Sequence, residues 1–91
     1  MDNTTLKTIR GQAQRLPVTL QIGKSGITPA VIAEVARQLK QHTLVKIKLL
    51  AGAFPEPPSK KERHVAAALL AEKTGAELIY QIGFTVTLYK K

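Results

Sequence analysis

Apolar side chains recur along the chain with two periods, and the switches between them mark out the elements. Over residues 4–16, Leu6, Ile9, Ala13 and Leu16 fall on one helical face. Gly11 weakens that helix by about 1 kcal/mol relative to Ala, and Pro17 ends it. Val18-Thr19-Leu20-Gln21-Ile22 then alternates strictly, which predicts a strand with Val18, Leu20 and Ile22 on its buried side. Gly23-Lys24-Ser25-Gly26-Ile27 is a tight connection. Thr28 suits an N-cap and Pro29 the first helical position, where its missing N–H is harmless. The helix they open runs to about Gln41, with Ile32, Val35, Ala36 and Leu39 as its apolar stripe.

Alternation returns from Thr43 to Leu50, with Val45, Ile47 and Leu49 on one face and Lys46 and Lys48 on the other. Residues 51–58 hold three of the five prolines and read as a semi-extended loop. Ser59-Lys60-Lys61-Glu62 matches a capping box. It opens a third helix whose inward residues are expected to be Val65, Ala66, Leu69 and Leu70, with Gly75 as its stop. Ala76–Ile82 and Phe84–Lys90 alternate around Gly83, which predicts an antiparallel hairpin. The order is α-β-α-β-α-β-β. The β-α-β crossovers place the second and third helices on a common face of the sheet. Thr19, Gln21, Lys46, Lys48, Ile79, Gln81, Thr85, Thr87 and Tyr89 fall on the other face. They are mostly polar, so the pattern predicts a two-layer α/β sandwich with one open face.

A chain of 91 residues with 44% hydrophobic content suits one domain, residues 1–91, with a packed core. That core is aliphatic, since there are two Phe, two Tyr and no Trp. Fourteen Lys and Arg against six Asp and Glu give a formal charge of +8. A surface so charged attracts polyanions and makes their binding salt-dependent. The absence of cysteine excludes disulfides and thiolate metal sites. No apolar run approaches the roughly 18 residues of a membrane span. The polar MDNTTLKTIR start lacks a signal-peptide core. A cytosolic location follows as the simplest expectation.

The candidate site is Gly23-Lys24-Ser25-Gly26, between a strand and a helix. Two glycines allow a sharp turn and close approach to a ligand. The following helix is expected to offer unpaired N–H groups and the positive end of its dipole. Lys24 adds a charge and Ser25 a donor, which together suit a phosphate. The plain alternative is an ordinary turn in which glycine serves geometry alone. A nucleotide-binding P-loop ending in Gly23-Lys24-Ser25 would need glycine at position 18, which is Val18, so ATP or GTP binding is rejected. Lys46 and Lys48 have two open readings, protection of an exposed sheet or contact with RNA. Lys60, Lys61 and Arg63 crowd a helix start, where the dipole disfavours cations and a bound polyanion would relieve them.

Catalysis finds little support. Asp2, Glu34, Glu56, Glu62, Glu72 and Glu77 form no telling pair. His42, at a helix end, and His64, on a helix surface, lie far apart in sequence and are too few for a typical zinc site. Neither catalytic residues, nor a metal site, nor a cofactor is expected. Tyr80 and Tyr89 are read as packing residues, with Tyr89 the better stacking candidate.

The succession Val18-Thr19-Leu20-Gln21-Ile22-Gly23-Lys24-Ser25-Gly26-Ile27-Thr28, Leu44-Val45-Lys46-Ile47-Lys48, Thr74-Gly75-Ala76-Glu77, Gln81-Ile82-Gly83-Phe84 and Val86-Thr87-Leu88-Tyr89 resembles the CRM domain family, which includes stand-alone YhbY-like proteins of bacteria and archaea. The resemblance implies a mixed four-stranded sheet similar to the C-terminal domain of translation initiation factor three. It implies RNA binding through Gly23, Lys24, Ser25 and Gly26 with nearby basic surface. For stand-alone members it implies association with precursors of the large ribosomal subunit. Lys7, Arg10, Arg15, Lys46 and Lys48 are the companion cations to test. The expected partner is structured RNA, ribosomal by the resemblance, with a monomer favoured. The rival reading is a protein-interaction module that docks an acidic partner through the basic surface and the 51–58 loop, where Phe54 stands among prolines.

Overall fold

The computed structural model describes residues 3–54 and 58–90. Its elements are α1 (Asn3–Arg15), β1 (Leu20–Ile22), α2 (Pro29–His42), β2 (Leu44–Leu49), α3 (Lys60–Thr74), β3 (Glu77–Ile82) and β4 (Thr85–Tyr89), with a 3₁₀ turn at Ala51–Ala53. The strands form one mixed sheet in the order β1-β2-β4-β3. β1 runs parallel to β2, while β4 is antiparallel to both β2 and β3. The expected element order and mixed four-stranded sheet are therefore present.

Capping chemistry sets the helix ends. Thr28 Oγ1 accepts the Val31 N–H at 3.2 Å, and Ser59 Oγ accepts the Glu62 N–H at 3.1 Å. Gly75, at φ +69°, ends α3 in the left-handed region that glycine tolerates. Thr43, expected to open a strand, instead caps α2 in the same region at φ 60°. β2 therefore begins one residue later, at Leu44.

α2 and α3 pack on one sheet face around Ile22, Val35, Leu39, Ile47, Leu70 and Leu88. Each such side chain contributes roughly 1.5–3 kcal/mol by leaving water. Two sequence expectations shift here. α3 buries Ala67, Leu70, Ala71 and Thr74, whereas Val65 and Leu69 are exposed. Small alanines let the helix lie close to the sheet, and that rotation turns the larger side chains outward. β1 is confined to Leu20–Ile22, with Val18 exposed, because pairing with β2 begins at Leu20–Ile47.

The second face is not wholly open, as the alternation suggested. α1 lies across it, and Ile9 and Ala13 pack on Leu44 and Ile79, flanked by Leu6, Leu16, Tyr80 and Tyr89. A β-bulge between Leu78 and Tyr80 makes this possible. The extra residue, Ile79, joins the α1 side and leaves Tyr80 there as well. Beyond the end of α1, one cross-strand row of that face stays uncovered, namely Gln21, Lys48, Thr85 and Ile82.

Candidate nucleic-acid interface

β1, β2 and β3 share a direction, so their C-terminal ends meet at one end of the sheet. The turn at 23–26 projects there. Its backbone closes through the Gly26 N–H, which donates to the Gly23 carbonyl at 2.9 Å. Gly26 takes φ +71°, a conformation that disfavours a side chain. Gly23 has no such need, and a Cβ there would make only ordinary contact with Leu50 Cδ1 at 3.7 Å. Lys24 and Ser25 are exposed at the tip. The start of α2 contributes less than the sequence reading expects. Pro29 has no N–H, and Thr28 already takes the Val31 donor.

The companion cations divide into groups. Lys48 is exposed, one strand over from β1 and opposite Gln21. Lys46 is half-buried, and its Nζ donates to the Ala13 and Leu16 carbonyls at 3.4 Å each. This lysine closes the C-terminal end of α1 and pins the helix to the sheet. Lys7 and Arg10 share an α1 flank with Gln14, at i, i+3 and i+7, while Arg15 points away from that flank. All three cations are exposed. Lys24 and Lys48 thus form the group at the glycine turn, and Lys7 and Arg10 lie on the far side of Lys46.

A polar network braces the chain just before β1. Thr19 Oγ1 donates to Gln38 Oε1 at 2.6 Å, and Gln38 Nε2 donates to Glu34 Oε2 at 2.9 Å. Arg37 forks onto Glu34 through Nε at 2.9 Å and Nη2 at 2.6 Å. Hydrogen bonds from Arg37, then from Gln38, hold the Glu34 carboxyl down at about 2.

Other side chains settle into structural roles. The Arg63 guanidinium lies 4.8 Å from the Phe84 ring centroid. Lys90 Nζ donates to the Thr74 carbonyl at 3.1 Å, at the end of α3. Phe54 packs against the main core and is half-buried, which weakens its use as a docking handle. The 55–57 part of the proline-rich loop lies outside the described residues. Tyr80 and Tyr89 pack on the second cluster, as read from the sequence. What the sequence reading missed is that Tyr80 also borders two surface hollows, one of them lined by Lys60, Lys61 and His64. The bulge sets that position, and alternation alone gives no signal for it.

Among the described residues, no group of three or more His, Cys, Asp or Glu could hold a metal ion. No described helix is long and apolar enough to cross a membrane.

Comparison with known proteins agrees with this architecture. The probable RNA-binding protein YqeI of Bacillus subtilis is 26% identical over 83 residues, covering 91% of this chain and 80% of the relative. A Haemophilus influenzae protein named RNA-binding protein is 29% identical over 92 residues, covering 96% of this chain and 87% of its own. The solution structure of a candidate RNA-binding protein of Staphylococcus aureus superposes with a TM-score of 0.78 at 25% identity, covering 100% of this chain and 88% of that one. The family model of the CRS1/YhbY (CRM) domain matches residues 1–90, and the chain belongs to that family.

Proposed function

We propose that this protein binds structured RNA through the Gly23–Gly26 turn and the basic surface beside it, and acts without catalysis. The carrying observation is the turn itself. Gly26 holds a left-handed conformation that keeps Lys24 and Ser25 exposed at the sheet's end, with Lys48 exposed on the adjacent strand. A phosphate set against Lys24, with a Ser25 hydrogen bond, would anchor an RNA backbone there, and Lys48 would extend the contact. The net charge of +8 favours such a partner and predicts salt-dependent affinity. RNA binding is also the property named for the relatives.

The finer reading is ribosomal RNA within large-subunit precursors, in the cytosol. It rests on the resemblance to stand-alone family members. Structured RNA would be read largely by shape, because duplex bases are hidden from side chains.

The test is binding to structured ribosomal RNA fragments across a salt series, comparing wild type with the Gly23→Ala/Gly26→Ala double variant. Net charge is unchanged between them. A large loss of affinity in a folded variant supports the turn as the site. Equal affinity with an equal salt slope assigns binding to diffuse charge and removes the turn from the mechanism.

A further inference from the structure

We propose that the β3 edge, centred on Tyr80, is a second RNA contact that takes an unpaired nucleotide. The inference rests on the RNA-binding reading and extends it to a different edge of the sheet.

Tyr80 stands between two hollows. On the α3 side, a groove of about 660 Å³ runs along β3 beneath Lys60, Lys61 and His64. On the α1 side, a hollow of about 210 Å³ is bordered by Gln14, Lys46, Ile82 and Thr85. Tyr80 lines both, on an edge strand that no further strand covers among the described residues. Ile82 is 66% exposed two residues along the same strand. Lys7 and Arg10 lead along their shared α1 flank to Gln14 at the smaller hollow.

An aromatic ring with apolar neighbours, with Lys60 and Lys61 on its α3 side and the Lys7–Arg10 flank of α1 leading to its other side, fits the chemistry of a single strand. The ring offers a face for a base, Lys60 and Lys61 meet the adjoining phosphate, and Arg10 and Lys7 take the strand further along, while Lys46 stays on the α1 carbonyls. Gln14, Gln81 and Thr85 give the rim hydrogen-bonding groups for a base edge. A perfect duplex keeps its base faces stacked and has no use for the ring. Lys60 and Lys61 begin α3, where the dipole disfavours cations, and a phosphate between them offsets that cost. The bulge at Ile79 gives the ring its position, since without it Tyr80 would fall on the opposite face.

The test uses the full chain in a Tyr89→Phe background, which leaves Tyr80 as the only tyrosine. Its fluorescence is followed during titration with an oligouridylate of about twelve nucleotides, within the usual site-size range, and with a blunt RNA duplex of the same length. The single strand is expected to quench Tyr80 emission. Tyr80→Leu, in the wild-type background, is expected to lower single-strand affinity roughly tenfold while leaving duplex affinity unchanged. Tyr80→Phe is expected to retain binding. Ile82→Ser, at an exposed position, gives a readout independent of any damage that Tyr80→Leu does to folding, and is also expected to weaken the single strand.

Absence of quenching, together with wild-type single-strand affinity in Ile82→Ser, overturns the proposal. So does loss of single-strand binding in Lys60→Gln/Lys61→Gln with none in a folded Tyr80→Leu, since an acidic polypeptide would use those lysines without the ring. If duplex and hairpin RNA still bind through the glycine turn, only this inference falls. If no RNA binds at all, the proposed function falls with it.

Discussion

The β1 edge of the sheet is three residues long and ends in a glycine turn, whereas the β3 edge is six residues long, bulged, and carries an aromatic ring. The two lie about 14 Å apart across the sheet, three inter-strand spacings of roughly 4.8 Å. At the β1 edge, the proposed contacts Gly23 to Gly26 are consecutive in sequence, with Lys48 one strand over, and backbone conformation does the positioning. At the β3 edge, the residues around Tyr80 come from α1, α3 and β3, and tertiary packing brings them together. A backbone-built site depends on one torsion angle, while a packing-built site depends on where whole helices sit. Substitutions should therefore act locally at the first edge and through helix placement at the second.

The largest effect is expected at the turn. Gly26→Ala forces a side chain into the left-handed region at a cost of roughly 1–2 kcal/mol, and should reshape the loop. RNA affinity is expected to fall about tenfold, equivalent to 1.4 kcal/mol, whereas Gly23→Ala stays close to wild type. Fluorescence anisotropy with a ribosomal RNA hairpin measures both. Equal behaviour of the two variants would show that the left-handed glycine has no special part.

Next comes the contrast between Lys46 and Lys48. Lys46→Gln should lower stability by on the order of 1 kcal/mol, because its ammonium serves carbonyls at the end of α1. Lys48→Gln should leave the melting temperature unchanged and reduce the salt slope of RNA binding by about one. Thermal melts beside a salt titration separate the roles. A stable Lys46→Gln protein with a reduced slope would make that lysine a phosphate contact instead.

An effect of similar size and opposite sign is expected beneath α1. Thr87 is fully buried, and its hydroxyl has no hydrogen-bond partner among the described residues. Thr87→Val removes the orphan group and should stabilise by on the order of 1 kcal/mol in urea denaturation. Destabilisation would mean that the hydroxyl is satisfied by water or another group.

The smallest effect concerns acid. Glu34 sits near 2, below its usual 4.5, because Arg37 and Gln38 hydrogen-bond its charged form. Its contribution is complete above about 4.5 and is lost as pH falls toward 2. Glu34→Gln should flatten the part of the acid-stability curve between those values. An unchanged curve would remove Glu34 from the bracing of β1.

The glycine turn, the Thr28 and Ser59 caps and the hairpin were legible in the sequence because each is governed by neighbouring residues. The inward face of α3 was not. Val65 and Leu69 are more hydrophobic than Ala67 and Ala71, yet close helix–sheet approach selects the small residues. The covering of the second face was also hidden. The stripe Leu6, Ile9, Ala13 and Leu16 announces that α1 must pack somewhere, but the bulge that brings Ile79 and Tyr80 to meet it leaves no mark in the alternation. Lys46 looked like Lys48 in sequence, and only the arrival of the α1 end distinguishes them.

RNA contact at the glycine turn is read out residue by residue in an amide chemical-shift map of the ¹⁵N-labelled protein titrated with a ribosomal RNA hairpin. With the glycine turn as the RNA site, the amides of Lys24, Ser25, Gly26 and Ile27 move first and furthest, with Lys48 beside them. Shifts confined to other surfaces, with those amides unmoved at saturation, would place RNA elsewhere on the protein.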